Sequence, residues 1–362
     1  MEMGAFRHSK HGPPGESCAP YLPRAIASHR HLLALSAPLQ QIAPESQESD
    51  MTHKTLDSSY HSVAELAANR EVHDGSFGFG NVLIGIDGTP AGRDAIALGA
   101  MLRSPHGRLT LAHVSVTNSA TDLGFGAKPG RPMREMLERE RAQAGVIAEV
   151  RDIASRSVGR GLHQLAEESA ADLLVVGSCS RGMLGRVFIG DDTRASLNGA
   201  SCAVAVAPHG YAESTVSTKT VGVAYNGTAE ADAALTVARR LAARYGASVR
   251  ALTVVNPVPG GVRYWEAFDP AWGTAVEVVG RAADERLQSI EGVDGNVATG
   301  IPSEALAAFG AEVDLLVVGS RSYGPLRRMI LGSTSLQLAR GARCPLLVLP
   351  RPTAVGHEPD EA

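Results

Sequence analysis

Short uncharged apolar runs alternate with helical patterns along most of the chain. Residues 81–86 (NVLIGI) predict a strand, residues 91–102 a helix with Ala95, Leu98 and Leu102 on one face, and residues 108–114 (RLTLAHV) a second strand. Residues 133 to about 154 are charged and predict one helix, which leaves the third strand of this half indistinct. Residues 162–170 predict a further helix. Asp172 then introduces the apolar run LLVV at 173–176, the pattern of a strand buried on both faces. A Gly/Ser/Arg-rich loop, a helix after Gly190 and a last strand at 203–207 complete this half.

The second half repeats the plan. Strands are predicted at 220–225, 248–255, 296–299, 315–318 and 346–349. Helices are predicted at 229–245, stopped by Gly246, and at 274–290 and 303–310, with another opened by Gly332 and Ser333. The repetition is literal at the fourth strand: DLLVVGS at 172–178 recurs at 314–320, an offset of 142. Gly190 and Gly332 keep that offset, as do CAVAVAP at 202–208 and CPLLVLP at 344–350. Asp87-Gly88-Thr89 returns as Asn226-Gly227-Thr228 at an offset of 139. Such matches in one order indicate a duplicated domain. The expected fold is α/β: two tandem doubly wound five-stranded parallel sheets, over residues 79–209 and 218–351.

Residues 1–76 fit neither repeat. They carry seven of the chain's twelve histidines, frequent Pro, Ser and Gly, and no strand pattern. A disordered tail is expected there, and a frayed acidic tail at 352–362. Met51 offers an alternative start to Met1, a reading that native peptides from residues 1–50 would exclude. The net charge of −4 implies no general affinity for nucleic acid. No apolar run approaches the roughly 18 residues of a membrane span. The four cysteines show neither C-x-x-C nor zinc spacing. Cys202 and Cys344, each at the start of a last strand, predict buried thiols, which suits a reducing cytoplasm.

A buried parallel strand, a glycine-rich loop and a helix N-terminus in succession can hold phosphate. Glycine lets the backbone approach, and the first helical N–H groups point at the anion. Ligands of such sheets lie beyond the carboxyl ends of the strands. Asp87 and Asn226 stand at the end of each first strand, so each is a ligand residue, a cap for its turn, or both. His113 ends a strand and is expected to be satisfied there rather than catalytic. Gly124 and Gly126 lack the context of a dinucleotide fingerprint. Tyr264, Trp265, Phe268 and Trp272 fall within nine residues of a chain only 4% aromatic. They suit either a flap over a flat ligand or packing on a neighbouring surface.

These turns, loops and final strands resemble those of tandem members of the universal stress protein family, over about residues 79–350. The resemblance implies a Rossmann-like fold of the adenine nucleotide alpha hydrolase kind, and ATP, with Mg2+, as the ligand. ATP-binding relatives carry Gly, two residues, Gly, nine residues, then Gly-Ser or Gly-Thr. Here Gly319 is followed by Ser322 in place of the second glycine, then by Gly332-Ser333. By this resemblance Ala224, Tyr225 and Asn226 line the nucleoside end, and backbone near Val254 and Val318 meets base or ribose. Gly319, Ser322, Gly332, Ser333, Thr334 and Ser335 surround the phosphates. Arg321, Arg327 and Arg328 are near in sequence, either to neutralise charge or as solvated arginines.

Repeat one departs further. Ser180 replaces the second glycine, and Gly190 is followed by Asp191-Asp192, which cap a helix but repel phosphate. Asp87, Val114, Gly177 and Gly190 form a weaker second site, so ATP is expected mainly in repeat two. The implied function is a nucleotide-dependent stress-response regulator. The alternative is a tandem scaffold that docks protein partners without nucleotide. An enzyme is not expected, because no Walker run, Ser-Gly-Gly-x-Asp-Ser loop or His-x-Gly-His is present. The final strands are expected to pair within the chain, as a pseudo-dimer, and a further homodimer is compatible with this.

Overall fold

Each half begins with an apolar strand whose start is tied down by a later carboxylate. The strands are β1 (Phe79–Gly85) and its counterpart β6 (Thr220–Ala224). Asp172 accepts from the backbone N–H groups of Gly80 (2.7 Å) and Asn81 (2.9 Å). Asp314 accepts from those of Lys219 (2.8 Å) and Thr220 (2.9 Å). The aspartate that precedes each LLVV run is therefore a clamp on the neighbouring strand. Partly open to solvent, such bonds contribute about 1–1.5 kcal/mol each. The computed structural model describes residues 77–117, 131–178, 199–214, 217–257, 270–320, 334–335, 337–338 and 343–350. The two expected tails lie outside the described residues.

In the first half β1 is followed by α1 (Pro90–Leu102), β2 (Arg103–Val116), α2 (Arg131–Ala144), β3 (Glu149–Ser155), α3 (Val158–Glu168), β4 (Leu173–Gly177) and β5 (Ala203–Ala207). In the second half β6 is followed by α4 (Ala229–Tyr245), β7 (Ser248–Val255), α5 (Pro270–Gln288), β8 (Asp294–Thr299), α6 (Pro302–Phe309), β9 (Leu315–Gly319) and β10 (Leu346–Leu349). Backbone at 334–335 and 337–338 is helical. No helix among the described residues is long and apolar enough to cross a membrane.

The strands form one ten-stranded sheet in the order β3-β2-β1-β4-β5-β10-β9-β6-β7-β8. Neighbours within each half are parallel. The halves meet at β5 and β10, which pair antiparallel with Ala205 opposite Leu347. Both junction strands are buried along their whole length, so neither is an open edge. One face packs against α1, α2, α4 and α5, the other against α3, α6 and Leu338. Residues of LLVV alternate between these layers, Leu173 and Val175 in one and Leu174 and Val176 in the other. Burial on both faces is why the run carries no polar residue.

The single helix expected from 133 to about 154 is corrected. Helix α2 stops at Ala144, Gly145 follows with φ +62°, and β3 occupies residues 149–155. Strand β3 lies at the sheet's outer edge, with Glu149 and Arg151 exposed. An edge strand facing water on one side has no continuous apolar run, so its charges mimic helix. Strand β8 at the opposite edge likewise starts earlier than expected, at Asp294.

Side chains of α4 fasten the two halves together. Arg244 donates to the carbonyl oxygens of Phe77 (2.8 Å) and Arg103 (2.7 Å), and the Tyr245 hydroxyl donates to that of Met101. Arg240 lies 4.7 Å from the centroid of the Phe77 ring. The linker is held by Asp94, buried in α1, which accepts from the N–H groups of Gly210 (2.9 Å) and Ala212 (2.8 Å).

Candidate functional site

The turn after each first strand is built the same way. Asp87 Oδ1 accepts from Thr89 N (3.0 Å) and Thr89 Oγ1 (2.6 Å). Asn226 Oδ1 accepts from Thr228 N (3.3 Å) and Thr228 Oγ1 (2.9 Å). Gly88 and Gly227 complete the turns at φ +77° and +74°, a region that favours glycine. Thr228 Oγ1 also caps α4 by accepting from Ala231 N at 3.4 Å. Both readings of Asp87 thus meet in one side chain: Oδ1 holds the turn, and Oδ2 has no partner among the described residues. In repeat two the outward atom is the Asn226 amide nitrogen, a donor where Asp87 presents an acceptor.

Behind this turn repeat two holds an open cavity of about 560 Å³. It lies at the carboxyl ends of β6, β7 and β9. Ala224, Tyr225, Asn226, Val254, Val318, Gly319, Thr334 and Ser335 all line it. Ser322, Gly332 and Ser333, with Arg321, Arg327 and Arg328, lie outside the described residues. The Tyr225 hydroxyl donates to Asp232 at 2.7 Å; burial first, and then this bond, push the phenol pKa up. Thr228, Glu230, Ser320, Pro302, Leu306 and Leu338 also line the cavity and were not foreseen from the sequence. Glu230 had a legible signal: superposing the two Asx-Gly-Thr turns sets it opposite Ala91.

Repeat one holds a smaller cavity of about 180 Å³, lined by Asp87, Val114 and Gly177 among others. Gly190, Ser180, Asp191 and Asp192 lie outside the described residues. The difference in volume has a packing counterpart. A Cβ placed on Gly177 would lie 2.0 Å from the Ala91 carbonyl oxygen, whereas one on Gly319 would lie 2.8 Å from that of Glu230. The first turn of α1 therefore sits closer to its glycine than that of α4.

His113 is satisfied, as expected, although β2 runs on past it to Val116. Its Nδ1 lies 3.0 Å from Asp152 Oδ1, which also accepts from Ser115 Oγ at 3.2 Å. Parallel register makes His113 and Asp152 neighbours, whereas the same place in repeat two pairs Thr253 with Val297. Cys202 and Cys344 are buried free thiols, each pushed up to about 12 chiefly by burial. Tyr264, Trp265 and Phe268 lie outside the described residues, and Trp272 is known only as part of the first turn of α5.

Comparison with known proteins agrees with this architecture. The model of the universal stress protein family matches residues 78–208 and again residues 217–350. A universal stress protein of Mycobacterium bovis is 30% identical over 252 residues, which are 67% of this chain and 85% of that protein. One from Thermus aquaticus is 33% identical over 136 residues, 36% of this chain and 98% of the relative. A solved universal stress protein from Archaeoglobus fulgidus superposes with a TM-score of 0.51 at 19% identity, covering 75% of this chain and 98% of its own. That likeness concerns the fold alone. The chain belongs to the universal stress protein family.

Proposed function

We propose that this chain binds ATP, mainly in the repeat-two cavity, and acts as a nucleotide-dependent regulator of a stress response. The observation that carries the reading is the cavity of about 560 Å³ uniting Asn226, Val254, Val318, Gly319, Thr334 and Ser335. Its lining joins apolar walls suited to a base, from Leu252, Val254 and Leu306, with hydroxyls suited to phosphates, from Thr228, Ser320, Thr334 and Ser335. The residues fit a magnesium complex. Mg2+ favours one or two carboxylates together with phosphate oxygens over a dedicated protein cage. Glu230 supplies one carboxylate in the cavity wall. The bound cation would neutralise phosphate charge.

Calorimetric titration of Mg-ATP into the full chain, beside the Ser333→Asp variant, tests the reading. Micromolar binding that is lost in the variant is the expected result. Absence of binding to the unmodified chain overturns it. A second reading, a scaffold that docks protein partners without nucleotide, is favoured by one feature: α5 exposes Val278 (58%) and Val279 (55%) side by side.

A further inference from the structure

Arg286, in the last turn of α5, packs over the turn that follows β6. A Cβ placed on Gly227 would lie 2.9 Å from its Cζ and 3.1 Å from its Cδ. Gly227 joins Asn226 to Thr228, and both of these line the repeat-two cavity. The guanidinium therefore stands at the rim of that cavity, beside the residue next to Asn226. Its charge also reaches Tyr225 in the cavity wall. Burial and the bond to Asp232 push that phenol pKa up, and the Arg286 charge opposes the rise. Among the described residues no carboxylate pairs with the guanidinium and no oxygen accepts from it.

Repeat one fills the same place with apolar atoms. A Cβ placed on Gly88 would lie 3.2 Å from Met136 Cγ and 3.3 Å from its Sδ. Covering the glycine thus needs no cation. The two repeats differ in both members of the pair: Asp87 stands with Met136, and Asn226 with Arg286. An aspartate at 226 would give the guanidinium an ionic partner, and the amide does not. With Oδ1 held by Thr228, Asn226 also turns its N–H donors outward. The rim of repeat one therefore presents a negative acceptor, and that of repeat two presents donors and a positive charge. In nucleotide sites a carboxylate suits ribose hydroxyls, whereas a nearby arginine accommodates a phosphate on the ribose. The guanidinium fork matches phosphate oxygens and keeps its charge at any physiological pH.

We infer that the repeat-two cavity takes an adenine nucleotide whose ribose carries a phosphate on its 2′ or 3′ hydroxyl, with Asn226 and Arg286 donating to that phosphate. Arg286 is a specificity-determining residue for this group. The inference rests on the adenine-nucleotide reading above and narrows its ligand class.

The test is calorimetric titration of ADP, adenosine 2′,5′-bisphosphate and adenosine 3′,5′-bisphosphate into the full chain and into its Arg286→Met and Asn226→Asp variants. Each ligand has two phosphates, so the comparison turns on where they are attached. At least one bisphosphate is expected to bind the unmodified chain about tenfold more tightly than ADP, and the tighter one names the hydroxyl concerned. Arg286→Met installs the residue that repeat one carries there, at an exposed position where folding is not at stake. It is expected to shrink the preference to about twofold or less while leaving ADP affinity unchanged. Asn226→Asp is expected to reverse the preference in favour of ADP. The inference is overturned if ADP binds the unmodified chain as tightly as both bisphosphates do, or if Arg286→Met keeps the preference. Binding of ADP and ATP without either bisphosphate sinks the inference and leaves the ATP reading standing. If none of these nucleotides binds the full chain, the ATP reading falls, and the inference with it.

Discussion

The turns after β1 and β6 have one geometry and two chemistries. In both, a side-chain oxygen at the first position accepts from the backbone and hydroxyl of a threonine two residues on. That requirement is met equally by Asp87 and Asn226, so the fold leaves the second terminal atom unconstrained. Repeat one presents an acceptor, suited to ribose hydroxyls, beside a cavity of about 180 Å³. Repeat two presents a donor beside a cavity of about 560 Å³. The negative charges are also placed differently. Repeat one carries Asp191-Asp192 after Gly190, whereas repeat two carries Ser333-Thr334 after Gly332 and has Glu230 opposite Ala91. A duplicated scaffold thus lets a ligand site diverge wherever the turn and the packing do not dictate the side chain.

The largest expected effect concerns how closely each helix approaches its glycine. Gly177→Ala pushes a methyl to within 2.0 Å of the Ala91 carbonyl oxygen and is expected to cost about 3 kcal/mol of stability. Gly319→Ala, with 2.8 Å to its nearest atom, is expected to cost about 1 kcal/mol. Urea unfolding of the two variants checks this order, and the reverse order would break the packing account of the two cavities.

The paired clamps come next. Asp172→Ala and Asp314→Ala each remove two carboxylate–amide bonds and are expected to cost about 2–3 kcal/mol apiece. Unfolding is expected to stay a single transition, since β5 and β10 make one sheet of the two halves. Two separated transitions would mean that the halves are energetically independent.

A smaller change sharpens the contrast at the turn. Asn226→Asp keeps the Oδ1 bonds and replaces the outward donor with an acceptor. Adenosine affinity is expected to rise five- to tenfold, about 1 kcal/mol, by titration. Unchanged affinity would remove this residue from ribose recognition.

The smallest effects separate a capped from an uncapped helix. Thr228 accepts a hydrogen bond from the first turn of α4, but Thr89 makes no side-chain cap on α1. Thermal or urea unfolding is expected to show a loss of about 1 kcal/mol for Thr228→Ala and about half that for Thr89→Ala. Cys202 and Cys344, pushed up to about 12 by burial, are expected to stay silent to a thiol reagent at pH 8 until the chain is unfolded. Reaction of either in the native protein would contradict their burial.

The sequence by itself determined the α/β class, the duplication and the central strands. Strands buried on both faces must be apolar throughout, so LLVV, AVAVA and LLVL announce themselves without reference to neighbours. Helix α4 was legible to its ends because Thr228 and Gly246 provide cap and stop within a few residues. The turn residues Asp87 and Asn226 and the glycines of the fourth strands were legible because backbone geometry restricts what can stand there.

Tertiary structure decided the rest. Strand β3 exists because β2 offers it an edge, and its alternating charges say nothing of that partner. The role of Asp172 and Asp314 as clamps depends on strands about 90 residues earlier in the chain. The presence of Glu230 in the cavity wall depends on how closely α4 approaches Gly319 at the end of β9. Local patterns record what a residue needs from its own segment. Distances between segments are set by packing, and there two copies of one pattern become two different sites.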